Sequence, residues 1–232
     1  MKTFLSSVMA GCAAIPDRHT ATDSFIHGMG ELSEIMHEVA VRHGRSGLAP
    51  GADGITGEVV DLAICLLDVI RLRSPGITDA DINEEWFAQV QPSWSFFGWV
   101  LEDRKARTKD HDPDMIATAL DRQVETIAET MAELLARDVL RSPACEEPKL
   151  CDDVNRLALV ATEAAIALAA LADPGLTEEA LIAVAERKCA KWRRSVEEKN
   201  RSSCPTCRGS GRRALNWEED EPCPDCTVAP AA

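Results

Sequence analysis

Apolar residues recur with the period of an α-helix over most of the chain, from about residue 22 to residue 199. The first strong segment, 24–42, carries one apolar stripe, formed by Phe25, Met29, Leu32, Ile35, Met36 and Val39. No apolar run approaches the ~20 residues that a bilayer span needs, and we expect no membrane partner. The pattern predicts an all-α fold, a helical bundle.

Local signals give the ends of the next helices. Thr56 predicts the N-cap of a second helix over residues 57–73, and the sequence Ser-Pro-Gly at 74–76 ends that helix. Thr78 predicts the N-cap of a third helix that reaches about residue 90. Residues 92–113 then interrupt the pattern with a cluster of aromatic residues and a charged run, which predicts a connector anchored on the core by its aromatic side chains.

The second half of the chain repeats the first at an offset of 99 residues. Residues 29–42 align with 128–141, and residues 74–82 align with 173–181 without a gap. Two matches at one offset predict an internal duplication. Each unit would contain three helices, and the two units would pack as a bundle with pseudo-twofold symmetry.

Two pairs of acidic residues stand out within this pattern. Glu31 and Glu34 lie three residues apart on the first helix, and Glu58 and Asp61 lie three apart on the second. This spacing puts each pair on one helical face, and opposed helices would bring four carboxylates together. Such a cluster repels itself without a cation and suits Mg²⁺ with one. A solvated acidic face is the alternative, and Asp68 could support the site or face solvent.

Glu31-x-x-Glu34 followed by Glu58-x-x-Asp61 resembles the ExxE and ExxD motifs of the all-α nucleotide pyrophosphohydrolases, the MazG-like and dimeric dUTPase superfamily. The contexts Gly-Glu-Leu-Ser-Glu and Glu-Val-Val-Asp-Leu-Ala-Ile-Cys-Leu-Leu-Asp are similar to that family as well. Gly30 stands where many members have a further Glu. The resemblance implies Mg²⁺- or Mn²⁺-dependent cleavage of a nucleoside triphosphate into monophosphate and pyrophosphate, with these four carboxylates as metal ligands or, for one of them, as the group that positions water.

The basic residues of the last helix are candidates for binding the substrate phosphates, namely Lys188, Lys191, Arg193 and Arg194. A solvated basic helix end is an equal alternative. At the offset of 99, Glu31 falls on Thr130, Glu58 on Leu157 and Asp61 on Val160, and only Glu34 keeps an acid, Glu133. The second unit is therefore predicted to be degenerate.

Four cysteines near the C-terminus form the pattern C-x2-C-x15-C-x2-C, namely Cys204, Cys207, Cys223 and Cys226. Two such pairs predict tetrahedral thiolate ligation of a structural Zn²⁺. The form Cys-x-x-Cys-x-Gly-x-Gly resembles the DnaJ-type cysteine-rich domain. A redox dithiol pair or disulfides are the alternatives. The other five cysteines are scattered, as expected for reduced thiols of a cytoplasmic protein.

Basic and acidic residues number 25 and 39, and the net charge of −14 excludes general nucleic-acid binding through phosphates. We predict an N-terminal arm or short helix (1–21), a first repeat with the acidic site (22–91), the connector (92–113), a degenerate second repeat (114–200) and a zinc module (201–232). The predicted function is a cytoplasmic nucleoside triphosphate pyrophosphohydrolase, which could act alone or pair as a homodimer or homotetramer. A non-catalytic regulatory or protein-interaction module is the alternative.

Overall fold

The computed structural model describes residues 2–16, 19–45, 47–78, 81, 95–137, 153–203, 212–216 and 219–222, with the backbone alone after residue 200. Within these ranges the chain is all-α apart from one short hairpin. The helices are α1 (Phe4–Ala13), α2 (Ala21–Arg42), α3 (Gly54–Arg73), α4 (Phe96–Thr108), α5 (Pro113–Ala136), α6 (Asp153–Ala172) and α7 (Glu178–Ser203). The hairpin strands are β1 (Arg212–Asn216) and β2 (Glu219–Pro222).

Helices α3 and α6 form the centre of the bundle, and both are buried along most of their length. Helix α2 packs on α3, α5 packs on α6, and α3 packs directly on α6. Contacts between α2 and α3 run in opposite chain order, since Ser24 bonds to Asp68 and Gly51 beyond α2 lies beside Glu58. The two helices are therefore antiparallel, which places the middle of α2 opposite the first turns of α3.

The N-terminal residues are part of the core rather than a free arm. Thr3 caps α1 in a capping box with Ser6, and Phe4 and Val8 are fully buried. The ring of Phe4 contacts that of Phe97 at 5.3 Å between centroids, and α1 packs along α7. Of the two predictions for this segment, a short helix is confirmed.

Helix α3 begins at Gly54, three residues before the predicted start, so the prediction that Thr56 is its N-cap is wrong. Gly54 takes a positive φ of 59°, and the Asp53 side chain makes no capping bond because it pairs with Lys188 at 2.7 Å. The predicted end is confirmed, since α3 stops at Arg73. Thr78 and Asp81 exchange capping bonds, as predicted for the start of the third helix. Residues 79, 80 and 82–90 of that helix, and Trp94 of the aromatic cluster, lie outside the described residues.

Most of the predicted connector is helix α4. Ser95 caps α4 by accepting a hydrogen bond from the Gly98 backbone at 3.0 Å. Phe96 and Phe97 are buried in the core, which confirms the predicted aromatic anchor. The charged second half of α4 lies on the surface. Ion pairs there join residues one helical turn apart, namely Lys105 with Glu102 at 2.8 Å and Arg107 with Asp103 at 2.7 Å. The charged run is thus a solvated helix face and not an irregular segment.

One helix of the described chain, α6, is long and apolar enough to cross a membrane by length and composition. The expectation that no apolar run approaches the length of a bilayer span is therefore wrong for α6. Within the protein 78% of its apolar window is buried, as in the core helix of a bundle. The burial comes from its contacts with α3, α4 and α5.

Candidate metal centre

Three glutamates meet where α2 faces the start of α3. Glu31, Glu34 and Glu58 each offer a carboxylate oxygen, and these oxygens lie within 4.8 Å of one another. Glu58 is only 7% exposed, Glu31 is partly buried and Glu34 faces solvent. The spacing of Glu31 and Glu34 on one helix face, together with the antiparallel packing on α3, produces this convergence. We call these three residues the acidic cluster.

The acidic cluster carries an electrostatic cost. Burial, together with the neighbouring Asp61, Glu34 and Glu58 carboxylates, raises the pKa of Glu31 from 4.5 to about 7. Burial also raises the pKa of Glu58 to about 7, with Lys188 opposing the shift and Glu34 adding to it. Carboxylates held this close together in a partly buried site are stabilised either by protonation or by a bound cation.

Asp61, the fourth predicted ligand, is engaged by Lys188 of α7 instead of joining the acidic cluster. The Lys188 ammonium group donates to Asp61 Oδ2 and to Asp53 Oδ2, the latter at 2.7 Å. Burial raises the pKa of Asp61, and the Lys188 hydrogen bond opposes that shift. The Lys188 side chain is only 13% exposed, so it acts as a cation fixed beside the carboxylates.

A cavity of about 300 Å³ opens beside the acidic cluster, between α2, α3 and α7. Apolar surface makes up most of the cavity wall, and acidic and basic side chains also reach it. The lining residues are His27, Glu31, Asp61, Ile64, Cys65, Lys188, Lys191, Trp192 and Ser195. Two of the predicted phosphate-binding residues, Lys188 and Lys191, are therefore at the site. Arg194 is exposed outside this lining, and Arg193 lines a different cavity, beside α1.

Sequence reasoning missed Glu38. Its buried carboxylate accepts a hydrogen bond from the Gly51 backbone, and a Cβ at Gly51 would lie 2.8 Å from Glu38 Oε1 and 3.7 Å from Glu58 Oε1. Glu38 therefore lies next to the acidic cluster and ties the loop before α3 to α2. The signal was present in the sequence, because Glu31, Glu34 and Glu38 follow the helical spacing i, i+3 and i+7.

Asp68 is neither at this site nor in solvent. Its carboxylate is fully buried and accepts hydrogen bonds from His19 and Ser24, each at 2.6 Å, and from Arg71 at 2.7 Å. Burial would raise the pKa of Asp68, but these bonds outweigh it and hold the pKa below its ordinary value. Asp68 thus fixes the start of α2 against α3.

The corresponding positions of the second half form no such cluster among the described residues. Thr130, which aligns with Glu31, is buried and bonds to the Thr126 carbonyl at 2.7 Å. Glu133, which aligns with Glu34, pairs on the surface with Arg137 at 3.2 Å. Leu157 is an apolar side chain where the first half has Glu58.

The four cysteines predicted to bind zinc lie outside the described residues, namely Cys204, Cys207, Cys223 and Cys226. Between the two pairs, β1 and β2 form an antiparallel hairpin in which Arg212 faces Pro222. Comparisons of the chain with models of known protein families, with curated proteins and with solved structures find no match. Function must therefore be argued from the geometry of the site.

Proposed function

We propose that the protein is a nucleoside triphosphate pyrophosphohydrolase that depends on Mg²⁺ or Mn²⁺ and releases a nucleoside monophosphate and pyrophosphate. The observation that carries this proposal is the convergence of Glu31, Glu34 and Glu58 at the edge of a cavity that also holds two lysines. A triphosphate needs both elements, since carboxylates bind the metal and ammonium groups bind phosphate oxygens.

The donor set fits a hard divalent cation. The acidic cluster offers carboxylate oxygens, and burial first and neighbouring carboxylates second raise the pKa values of Glu31 and Glu58, although Lys188 opposes both shifts. Glu34 and Glu58 would hold the ion, Asp61 would join them after it leaves Lys188, and Glu31 would lie beside the ion. A bound Mg²⁺ would neutralise phosphate charge and lower the pKa of an attacking water.

The other side chains of the cavity have separate roles in the proposed reaction. Lys188 and Lys191 face the same space and would pair with the phosphate oxygens. Glu31 is the member of the acidic cluster that lines the cavity, so we assign its carboxylate to orient the attacking water and accept a proton from it. Ile64 and Trp192 supply an apolar wall on which a nucleobase can pack.

We infer further that the bundle consists of two tandem degenerate repeats. Helices α3 and α6 end 99 residues apart, at Arg73 and Ala172. The turns after them match at the same offset, since Ile77 bonds back to Ser74 at 3.2 Å and Leu176 bonds back to Asp173 at 3.1 Å. Thr78 and Thr177 then each accept a hydrogen bond from the backbone three residues on. The first unit would carry the site and the second would act as scaffold.

The C-terminal residues are proposed to form a zinc module. The hairpin supports this, because pairing of Arg212 with Pro222 brings together the two chain ends that lead to the cysteine pairs. Four thiolates would close the coordination sphere and give the ion a structural role. A cytoplasmic location, and action as a single chain, homodimer or homotetramer, complete the proposal.

Pyrophosphate release from a panel of ribo- and deoxyribonucleoside triphosphates tests the function, with product identity read by chromatography. The matched variants are Glu34→Gln and Glu133→Gln, which remove equivalent carboxylates from the two halves. Glu34→Gln should lower turnover at least 100-fold, since removal of a metal ligand disables the reaction, while Glu133→Gln should leave it within about twofold. Absence of pyrophosphate release with every nucleotide, in Mg²⁺ and in Mn²⁺, would favour the non-catalytic module.

A further inference from the structure

Helices α1 and α7 cross at unusually short range beside Gly11. A Cβ at Gly11 would lie 2.7 Å from Cys189 Sγ and 2.8 Å from Cys189 Cβ, closer than packed atoms approach. Only glycine permits this approach. The next residue, Cys12, is buried at the same crossing, and the thiols of Cys12 and Cys189 each shift the pKa of the other. Two cysteines that are 177 positions apart in sequence (189 − 12) therefore lie together where α1 crosses α7.

The two thiols differ in access and in character. Cys12 is 1% exposed and Cys189 is 4% exposed, but Cys189 lines a cavity of about 540 Å³ together with Lys2 and Arg193. The Cys12 hydrogen bond lowers the pKa of Cys189, against burial and the nearby acidic residues, and raises that of Cys12. Cys189 is thus the thiol that a small reagent can reach, and Cys12 is placed to follow it.

We propose that Cys12 and Cys189 form a reversible disulfide on exposure to a peroxide, a covalent link between α1 and α7. The Cys189 thiolate attacks one oxygen of hydrogen peroxide, and the O–O bond breaks. The other oxygen departs as hydroxide, and Cys189 becomes a sulfenic acid. The Cys12 sulfur then attacks the Cys189 sulfur and expels the oxygen of the sulfenic acid. This oxygen takes the Cys12 proton and leaves as water. Two thiols are oxidised, and one peroxide is reduced to two water molecules.

The link would change the stability of the whole bundle, independently of the proposed hydrolase activity. It closes a loop that contains α2 to α6 and so restricts the unfolded chain. A link across this many residues is expected to raise the melting temperature by roughly 5–10 °C. Dithiothreitol should reverse the change, since each step is a thiol–disulfide exchange.

Peptide mapping of the full-length protein tests the proposal. After treatment with hydrogen peroxide and blocking of free thiols, digestion should yield a Cys12–Cys189 peptide lighter than the sum of its parts by two hydrogen masses. Cys65→Ser, which removes another buried thiol, should keep this peptide and the rise in melting temperature. Cys189→Ser should lose both.

The wild-type map decides the question even where a variant fails to fold. Recovery of Cys12 and Cys189 as blocked free thiols, or of either paired with a different cysteine, would overturn the proposal. Oxidation of Cys189 to sulfinic acid with Cys12 still reduced would do the same, because it would show that Cys12 does not reach the sulfenic acid.

Discussion

Single residues at the acidic cluster couple stability to pH. The pKa of Glu31 and that of Glu58 rise from 4.5 to about 7 through burial and neighbouring carboxylates. The folded protein therefore holds these protons to higher pH than the unfolded chain does. The stability that this protonation provides is complete below about pH 4.5 and is lost as the pH rises through about 7.

We expect the free energy of unfolding in Mg²⁺-free buffer to fall by about 2 kcal/mol between about pH 5 and about pH 8. Urea denaturation at several pH values measures this change. The double variant Glu31→Gln, Glu58→Gln removes both titrating groups and should flatten the profile across this window. Asp68 does not mask the effect, because its pKa is lowered and it titrates at more acidic pH. Equal slopes for wild type and variant would contradict the assignment.

At the scale of helices, two glycines should respond in opposite ways to alanine. A Cβ at Gly11 would collide with Cys189, whereas a Cβ at Gly30 in α2 would meet nothing within 4 Å. Gly11→Ala should therefore destabilise the protein by about 1–3 kcal/mol through overpacking. Gly30→Ala should stabilise it by about 0.5–1 kcal/mol, since alanine favours a helix interior. Urea denaturation of both variants measures the difference, and a stabilised Gly11→Ala would refute the close helix crossing.

The sequence predicts those helices whose signals are local. α2 and α3 follow from the apolar period and from Ser74 to Gly76, and their bounds agree within three residues. For α1 the sequence predicts an arm or a short helix without deciding between them, because the burial of α1 depends on α7, which lies more than 150 residues away in sequence. Helix α4 is not predicted, because its surface half is almost wholly charged and shows no apolar stripe.

The same distinction holds for the site. The spacing of Glu31 and Glu34 on one face of α2, together with opposed packing of α2 on α3, is enough to predict that they meet Glu58. The pairing of Asp61 and Asp53 with Lys188 could not be predicted, because it depends on where α7 crosses α3. Glu38 carried a signal in its spacing, but only the loop at Gly51 shows that its carboxylate is buried and bonded.

At the scale of the whole molecule, two metals of different chemistry are expected to occupy separate places. The zinc module is expected to hold one Zn²⁺ per chain, since four thiolates complete a tetrahedral site. Metal analysis of protein purified without chelator, combined with titration of reactive thiols, measures this ratio. A chain that ends at Asn200 should keep the proposed hydrolase activity, because it retains the acidic cluster. Protein without zinc, in which all four thiols react freely, would contradict the module.

The second metal should stabilise the bundle as a whole. A ligand that binds only the folded state adds RT ln(1 + [L]/Kd), which is about 2.7 kcal/mol at a hundredfold excess over Kd. Millimolar Mg²⁺ or Mn²⁺ should therefore raise the melting temperature by roughly 5–10 °C at such an excess. A non-hydrolysable triphosphate should raise it further only with metal present, because the proposed phosphate site at Lys188 and Lys191 adjoins the proposed ion.

The Glu31→Gln, Glu58→Gln variant is the control for this effect, since it removes two of the three carboxylates of the acidic cluster. It should be more stable than wild type without metal, because the mutual repulsion of the carboxylates is relieved, and it should not respond to Mg²⁺. Glu133→Gln, on the surface of the second half, should respond as wild type does. If the double variant gained as much from Mg²⁺ as the wild type, the acidic cluster would be a solvated face, and the ion would bind elsewhere in the chain.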